Sequence, residues 1–412
     1  MNRYIAIFFI AMLMLSVGQD SSGSLSSASP STPYKWGIVS WEMKNFMGKW
    51  LHLLGRAMPW SENMSEEEEI ARVRQYFERA DEINQLEEVL YSQTASDREE
   101  SGARQLIKEL QSLQDRDKAR VEERIESLVS KVLVQEGFGG PFGLLWPPVD
   151  MELVLPPTVL VTSPRDAIKR QGNVTLRPDV SLDQREALEH EILKSRGLSA
   201  LVVDIGGIAT YPSIVPPNGG LRHALSTAVH EWLHQYWFFR PLGMNYGRDS
   251  DTTSLNESAA NLAGREIGDK VYEIITGKTL TKPVILSDGQ LQEVVKILEI
   301  FDFRGEMQTT RLEVEELLAL GEIETAERIM EERRLLFLDN GYYIRKLNQA
   351  YFAFHGAYAQ SAASVSTVDE ELEAFRAAVS SPGQFVRDLA KFSSYQEFKN
   401  EFVSIEAACR GC

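Results

Sequence analysis

The chain has 412 residues, 43% of them hydrophobic and 25% charged; this ordinary globular composition allows two or three domains and excludes disorder throughout. Its 43 Lys and Arg stand against 60 Asp and Glu, a net charge of -17. That balance repels phosphates, and with no basic patch carrying interleaved aromatics it excludes a nucleic-acid partner.

Met1-Asn2-Arg3 precedes an apolar run from Tyr4 to Val17, and a Ser-rich stretch follows. One positive charge, a short apolar core and small residues at Ser16 and Gly18 fit a secretory signal peptide over residues 1–18, with a linker over 19–33. Export to a periplasmic or extracellular location is therefore expected. The alternative is membrane association through an uncleaved N-terminal anchor, for which the run is short.

Residues 34–136 read as an N-terminal helical region. Trp36 to Leu54 is rich in Trp, Met and Leu and is expected to pack on the rest of the protein. From Ser65 to about Gln135 the chain is acidic, with helical spacing and almost no Gly or Pro. Ser65 can cap a helix whose first turn, Glu66 to Glu69, carries favourable negative charge. A helical hairpin along one side of a cleft is expected.

The Gly, Pro and aromatic stretch from Gly137 to Pro148 marks entry into a core over residues 137–275. Val154 to Thr162 reads as a strand interrupted by Pro156 and Pro157, Asp183 to Arg196 as a helix, and Leu198 to Asp204 as a strand. Ile205 to Tyr211 is a second extended stretch ending at Pro212. A helix is predicted from Gly219 to Phe239, stopped by Arg240-Pro241. On its wheel Leu221, Leu225, Ala228, Trp232, Tyr236 and Phe239 form an apolar face, while His223, Thr227, His230 and His234 form a narrow polar stripe.

Within that helix lies His230-Glu231-Trp232-Leu233-His234. Residues i and i+4 share a face, so the two imidazoles can bind one metal ion. Glu231 is rotated by roughly 100 degrees from His230, which lets its carboxylate serve a metal-bound water as general base. A catalytic zinc normally has three protein ligands. The next helix offers the third in Glu257, with Asn261 at i+4 on the same face to hold a ligand histidine from behind. Glu266 falls on the opposite face as a solvated charge.

This arrangement resembles the gluzincin metallopeptidases, the thermolysin-like and aminopeptidase-like zincins, whose HExxH is followed a couple of dozen residues later by a glutamate in an NExxA-type helix. His230, Glu231, His234 and Glu257 match that pattern. The resemblance implies a zincin-like catalytic core, a Zn2+ cofactor and peptide hydrolysis. Thermolysin-like members commonly carry Asp where this chain has Asn261, which makes the second partner a neutral amide. The resemblance also implies a substrate peptide pairing along the strand before the HExxH helix, where Gly206 and Gly207 permit close approach or form a bulge. No Gly-x-Met-Glu-Asn run supports an aminopeptidase. Relatives supply an oxyanion donor from the loop between the ligand helices or from the helical domain beyond. Those positions point here to Tyr246, and to Tyr351, His355 and Tyr358 on one helical face.

Residues 276–412 read as a C-terminal helical domain, with helices over 291–303, 308–360, 367–379 and 382–402. Cys409 and Cys412 form a lone CxxC, a tail disulfide or two free thiols. The expected fold is α+β: a zincin-like core of small mixed sheet and two ligand helices inside a mostly α-helical protein. The expected function is that of an exported zinc-dependent metallopeptidase acting on a peptide or protein substrate. The alternative is a non-catalytic zincin-fold binding or scaffold protein of the cell envelope.

Overall fold

A computed structural model describes residues 30–38, 41, 64–91, 97–280, 301–356, 361–364 and 367–410. The expected signal peptide, most of the linker and of the 36–54 segment, most of the helix at 291–303, Tyr358 and Cys412 lie outside them. The protein is mostly helical with a small complement of strands, an α+β arrangement. No helix among the described residues is long and apolar enough to cross a membrane.

The acidic region forms two helices, α1 (Glu66–Tyr91) and α2 (Asp97–Leu133). Ser65 and Glu68 cap α1 reciprocally: Glu68 N donates to Ser65 Oγ and Ser65 N to Glu68 Oε2, satisfying two donors that a helix start leaves open. The hairpin buries Val73, Tyr76 and Phe77 of α1 against Val121, Ile125, Leu128 and Val132 of α2, and Arg79 pairs with Asp117 at 2.6 Å.

The strand expected over 154–162 breaks at its prolines, because Pro lacks the N–H that a sheet interior needs. The flanking pieces join different sheets. Strand β1 (Met151–Leu153) pairs in parallel with β5 (Ser213–Val215). The other edge of β1 is closed by α2, whose Glu122 and Glu126 carboxylates accept from Leu153 N at 2.7 Å and Met151 N at 2.8 Å. Strand β2 (Thr158–Pro164) is the centre of an antiparallel sheet between β3 (Gly172–Leu176) and β4 (Leu198–Asp204).

Alternation along β2 and β4 sends side chains to two different cores. Leu160, Ala200 and Val202 pack on Leu188 and Ile192 of α3 (Leu182–Arg196). Val159, Val161, Leu201 and Val203 meet Ala350 and Phe354 of the later α8 (Gln349–His355). Buried Glu189 of α3 clamps these layers. It accepts from Val202 N and takes both Arg345 and Lys346, just before α8.

Two long helices form the middle of the molecule, α4 (Gly220–Trp237) and α5 (Ser250–Thr276). Helix α4 ends at Trp237, and Phe239, expected on its apolar face, lies beyond it at 58% exposure. A turn in which Arg240 N reaches Trp237 O takes Phe239 out of helical register. The helix expected over 308–360 is three: α6 (Phe303–Ala319), α7 (Ile323–Asp339) and α8. Gly321 and Gly341, with φ of +80 and +86, turn the chain at the two interruptions in a conformation only glycine adopts freely. Helices α6 to α8 share their own core of Met307, Val314, Met330, Phe337 and Phe352. The last stretch, expected as a pair over 367–379 and 382–402, forms α9 (Val368–Ala378), α10 (Pro382–Leu389) and α11 (Tyr395–Arg410). Phe375, Phe385, Leu389 and Phe398 from these join the main core with Trp232, Leu233 and Ala259.

Candidate metal centre

The site is built on the crossing of α4 and α5, and small residues set how closely they approach. A Cβ on Gly268 would lie 2.8 Å from Ser226 N, and one on Gly264 3.0 Å from Ser226 O and 3.2 Å from His230 Cβ. The backbones therefore meet where side chains would otherwise hold them apart. Helix α4 is fixed at the opposite face by Trp232, whose Nε1 donates to Pro147 O at 2.9 Å, and at its end by Trp237, whose Nε1 donates to Val386 O at 3.2 Å. Both indoles are fully buried. A helix so anchored has little freedom to shift its histidines.

At the crossing four groups converge. His230 Nε2 and His234 Nε2 are 2.9 Å apart, and Glu257 Oε2 from α5 lies 3.5 Å from the first and 3.6 Å from the second. A tetrahedral zinc with bonds of about 2.0–2.1 Å separates its ligand atoms by about 3.3 Å. The observed triangle lies within a few tenths of an ångström of that size, and its two imidazoles and one carboxylate are zinc's own donor types. Ligand atoms of His230, Glu231 and His234 also lie within 4.8 Å of one another, so the Glu231 carboxylate stands beside the triangle. The residues fit the ion.

Electrostatics agree with this layout. Burial penalises the Glu257 charge, but the His234 and His230 imidazoles beside it outweigh that and hold its carboxyl well below the usual range. Burial likewise disfavours a charged His234, yet Glu257 and neighbouring groups raise it above an ordinary histidine. Glu231 behaves in the opposite way: burial raises its carboxyl, and the histidines offset only part of the effect. The two carboxyls are thus shifted in opposite directions, Glu257 toward the anion and Glu231 toward the protonated form.

Tyr246 is one of four candidate donors read from the sequence, and the structure brings it to the site. Its hydroxyl donates to Glu257 Oε1 at 2.5 Å and its ring stands edge-on to His234 at 6.0 Å. Tyr351 and His355 are instead engaged with each other, ring centroids 4.3 Å apart, on the α8 turn that packs against the sheet. Burial pushes Tyr351 up to about 12 and His355 down to about 4. No hydrogen bond among the described residues joins either to the triangle.

Asn261 is half-buried, and its side chain makes no hydrogen bond among the described residues. Asn256, which sequence reasoning passed over, stands behind a ligand. It is 1% exposed, its Nδ2 donates to Leu242 O at 3.5 Å, and its side chain is near enough to His234 to favour the imidazolium. Its Oδ1 is buried without a well-formed partner, which leaves it an acceptor for the histidine's ring N–H. The only signal in the sequence was its place directly before Glu257. Glu266, read as a solvated charge, is paired with Arg376 of α9 at 2.8 Å.

The stretch after β4, expected to be extended over Ile205 to Tyr211, forms no strand: it bends at Gly206 and holds one isolated bridge, at Ile208. Ile208 pairs with Ile214 of β5 through hydrogen bonds in both directions, and Gly207 beside it abuts Glu231 and Thr227. Trp36 and Trp41 pack with Ile38 on Ile205, Ile208 and Ile214. Compared with protein-family models, with curated proteins and with solved structures, the chain matches none.

Proposed function

We propose that the protein is an exported zinc-dependent peptidase of gluzincin type. The observation that carries the reading is the convergence of His230 Nε2, His234 Nε2 and Glu257 Oε2 into a triangle of zinc-ligand size with the buried Glu231 carboxylate beside it. When bound, zinc would polarise a scissile carbonyl and acidify water.

The remaining work belongs to the chain's own side chains. Glu231, whose carboxyl is raised by burial, takes a proton from the attacking water on its carboxylate and returns it to the leaving amine. Asn256 orients His234. The backbone of Gly206 and Gly207, beside the Ile208–Ile214 pairing, is offered to an extended peptide, and Gly207 keeps it close to Glu231. A peptide or protein is therefore the substrate class.

Metal analysis and a peptide-library digest test the reading together. Stoichiometric zinc with cleavage that is lost in Glu231→Gln, while zinc and fold are kept, supports it. Cleavage by Glu231→Gln at the parent rate removes the mechanism, and zinc without cleavage of any peptide leaves a binding protein instead.

A further inference from the structure

The carboxylate of Glu257 is divided between two tasks. Oε2 faces both imidazoles, whereas Oε1 accepts the Tyr246 hydroxyl. The terminal torsion of a glutamate is broad and nearly two-fold, so a carboxylate with nothing on its outer oxygen can turn and grip a cation with either oxygen or with both. The Tyr246 hydrogen bond takes one of those options away.

The tyrosine is itself held to the helix that carries Glu257. Its backbone N donates to Gly243 O at 3.1 Å, and Gly247 N, next in the chain, donates to Thr253 Oγ1 of α5 at 3.1 Å. Two residues further, Asp249 caps α5 by accepting from Thr252 N at 2.7 Å. The loop that carries the phenol is therefore tied to the helix that carries Glu257 at Gly247 and Asp249. The ring is 45% exposed, so replacing Tyr by Phe changes little packed volume.

We propose that Tyr246 is a positioning residue that restricts Glu257 to one-oxygen ligation of zinc; this rests on the zinc-peptidase reading. A phenol committed to the ligand in this way acts through metal binding, unlike an oxyanion donor, which acts only on the reacting carbonyl. The two roles separate experimentally.

The test compares wild type, Tyr246→Phe and Glu257→Gln, each titrated with zinc against a competing chelator, with X-ray absorption of the loaded proteins. Tyr246→Phe is expected to bind zinc about tenfold more weakly, the scale of a lost partner behind a ligand. Its absorption spectrum should show a second carboxylate oxygen near the metal. Unchanged affinity and coordination in Tyr246→Phe overturns the proposal, whether or not peptide turnover falls. A wild type that takes up no zinc overturns the peptidase reading itself, and is recognised because Glu257→Gln then behaves identically to it.

Discussion

Gly207 and Glu231 are in contact, with no room for a side chain between them: a Cβ on Gly207 would lie 2.5 Å from Glu231 Oε1 and 2.9 Å from Ile214 O. One neighbour is the proposed general base and the other is backbone, so the conflict cannot be relieved at both sides by a rotamer change. Gly207→Ala is expected to displace the Glu231 carboxylate. A misplacement near 1 Å costs on the order of a hundredfold in rate. Peptide turnover measured beside zinc stoichiometry checks this: turnover should fall while zinc is retained, and unchanged turnover would show that the carboxylate does not depend on this contact.

Behind the ligands, Asn256 and Asn261 make opposite predictions. Asn256→Ala should lower zinc affinity about 10- to 100-fold, because His234 loses its only candidate acceptor among the site's asparagines. Asn261→Ala should leave affinity within twofold or so of wild type. Chelator competition on both variants decides which asparagine orients the histidine.

The crossing of α4 and α5 should tolerate no bulk. Gly268→Val forces side-chain atoms against Ser226 N and Cα, an overpacking that typically costs about 1–3 kcal/mol. Denaturant unfolding should show that loss, and zinc affinity should fall with it because His230 lies one turn from the contact. A variant as stable as wild type would mean that the helices separate freely.

Acid stability should depend on Glu189. Burial alone would raise its carboxyl, but Arg345, Lys346 and Val202 N outweigh that and lower it. A carboxyl lower in the folded than in the unfolded chain contributes stability above the unfolded value, about 4.3, and that contribution is lost as pH falls through the folded value. Glu189→Gln should lose about 1.5–3 kcal/mol at neutral pH, the scale of a hydrogen bond to a charged group, because Arg345 and Lys346 are partly exposed. Its stability should then vary less than that of wild type below about pH 4.3. Parallel acid limbs in the two unfolding profiles would contradict this role.

Local signals made much of the site legible. His230 and His234 are one helical turn apart, so their convergence needs only that the segment be a helix, and Glu231 follows from the same geometry. Helices α3 and α4 and strand β4 were expected from periodicity and caps, and the structure has them close to the predicted bounds; a helix carrying Glu257 was expected without bounds. The break at Pro156-Pro157 was legible, whereas the helix expected over 308–360 is interrupted at Gly321 and Gly341, which its continuous pattern did not show. At such positions backbone conformation, which periodicity does not encode, decides.

The sequence by itself determined the pair of imidazoles, the carboxylate beside them and the acidic charge balance. Only the tertiary structure decided that Glu257 Oε2 closes the triangle, that Tyr246 and not Tyr351 or His355 reaches it, and that Asn256 stands behind His234. Those relations join residues on different elements. They depend on how closely α4 and α5 approach at Gly264 and Gly268 and on how the loop between them folds back on α5. Spacing along one helix fixes angles within it, whereas the distance between two helices is set by packing of side chains from many parts of the chain.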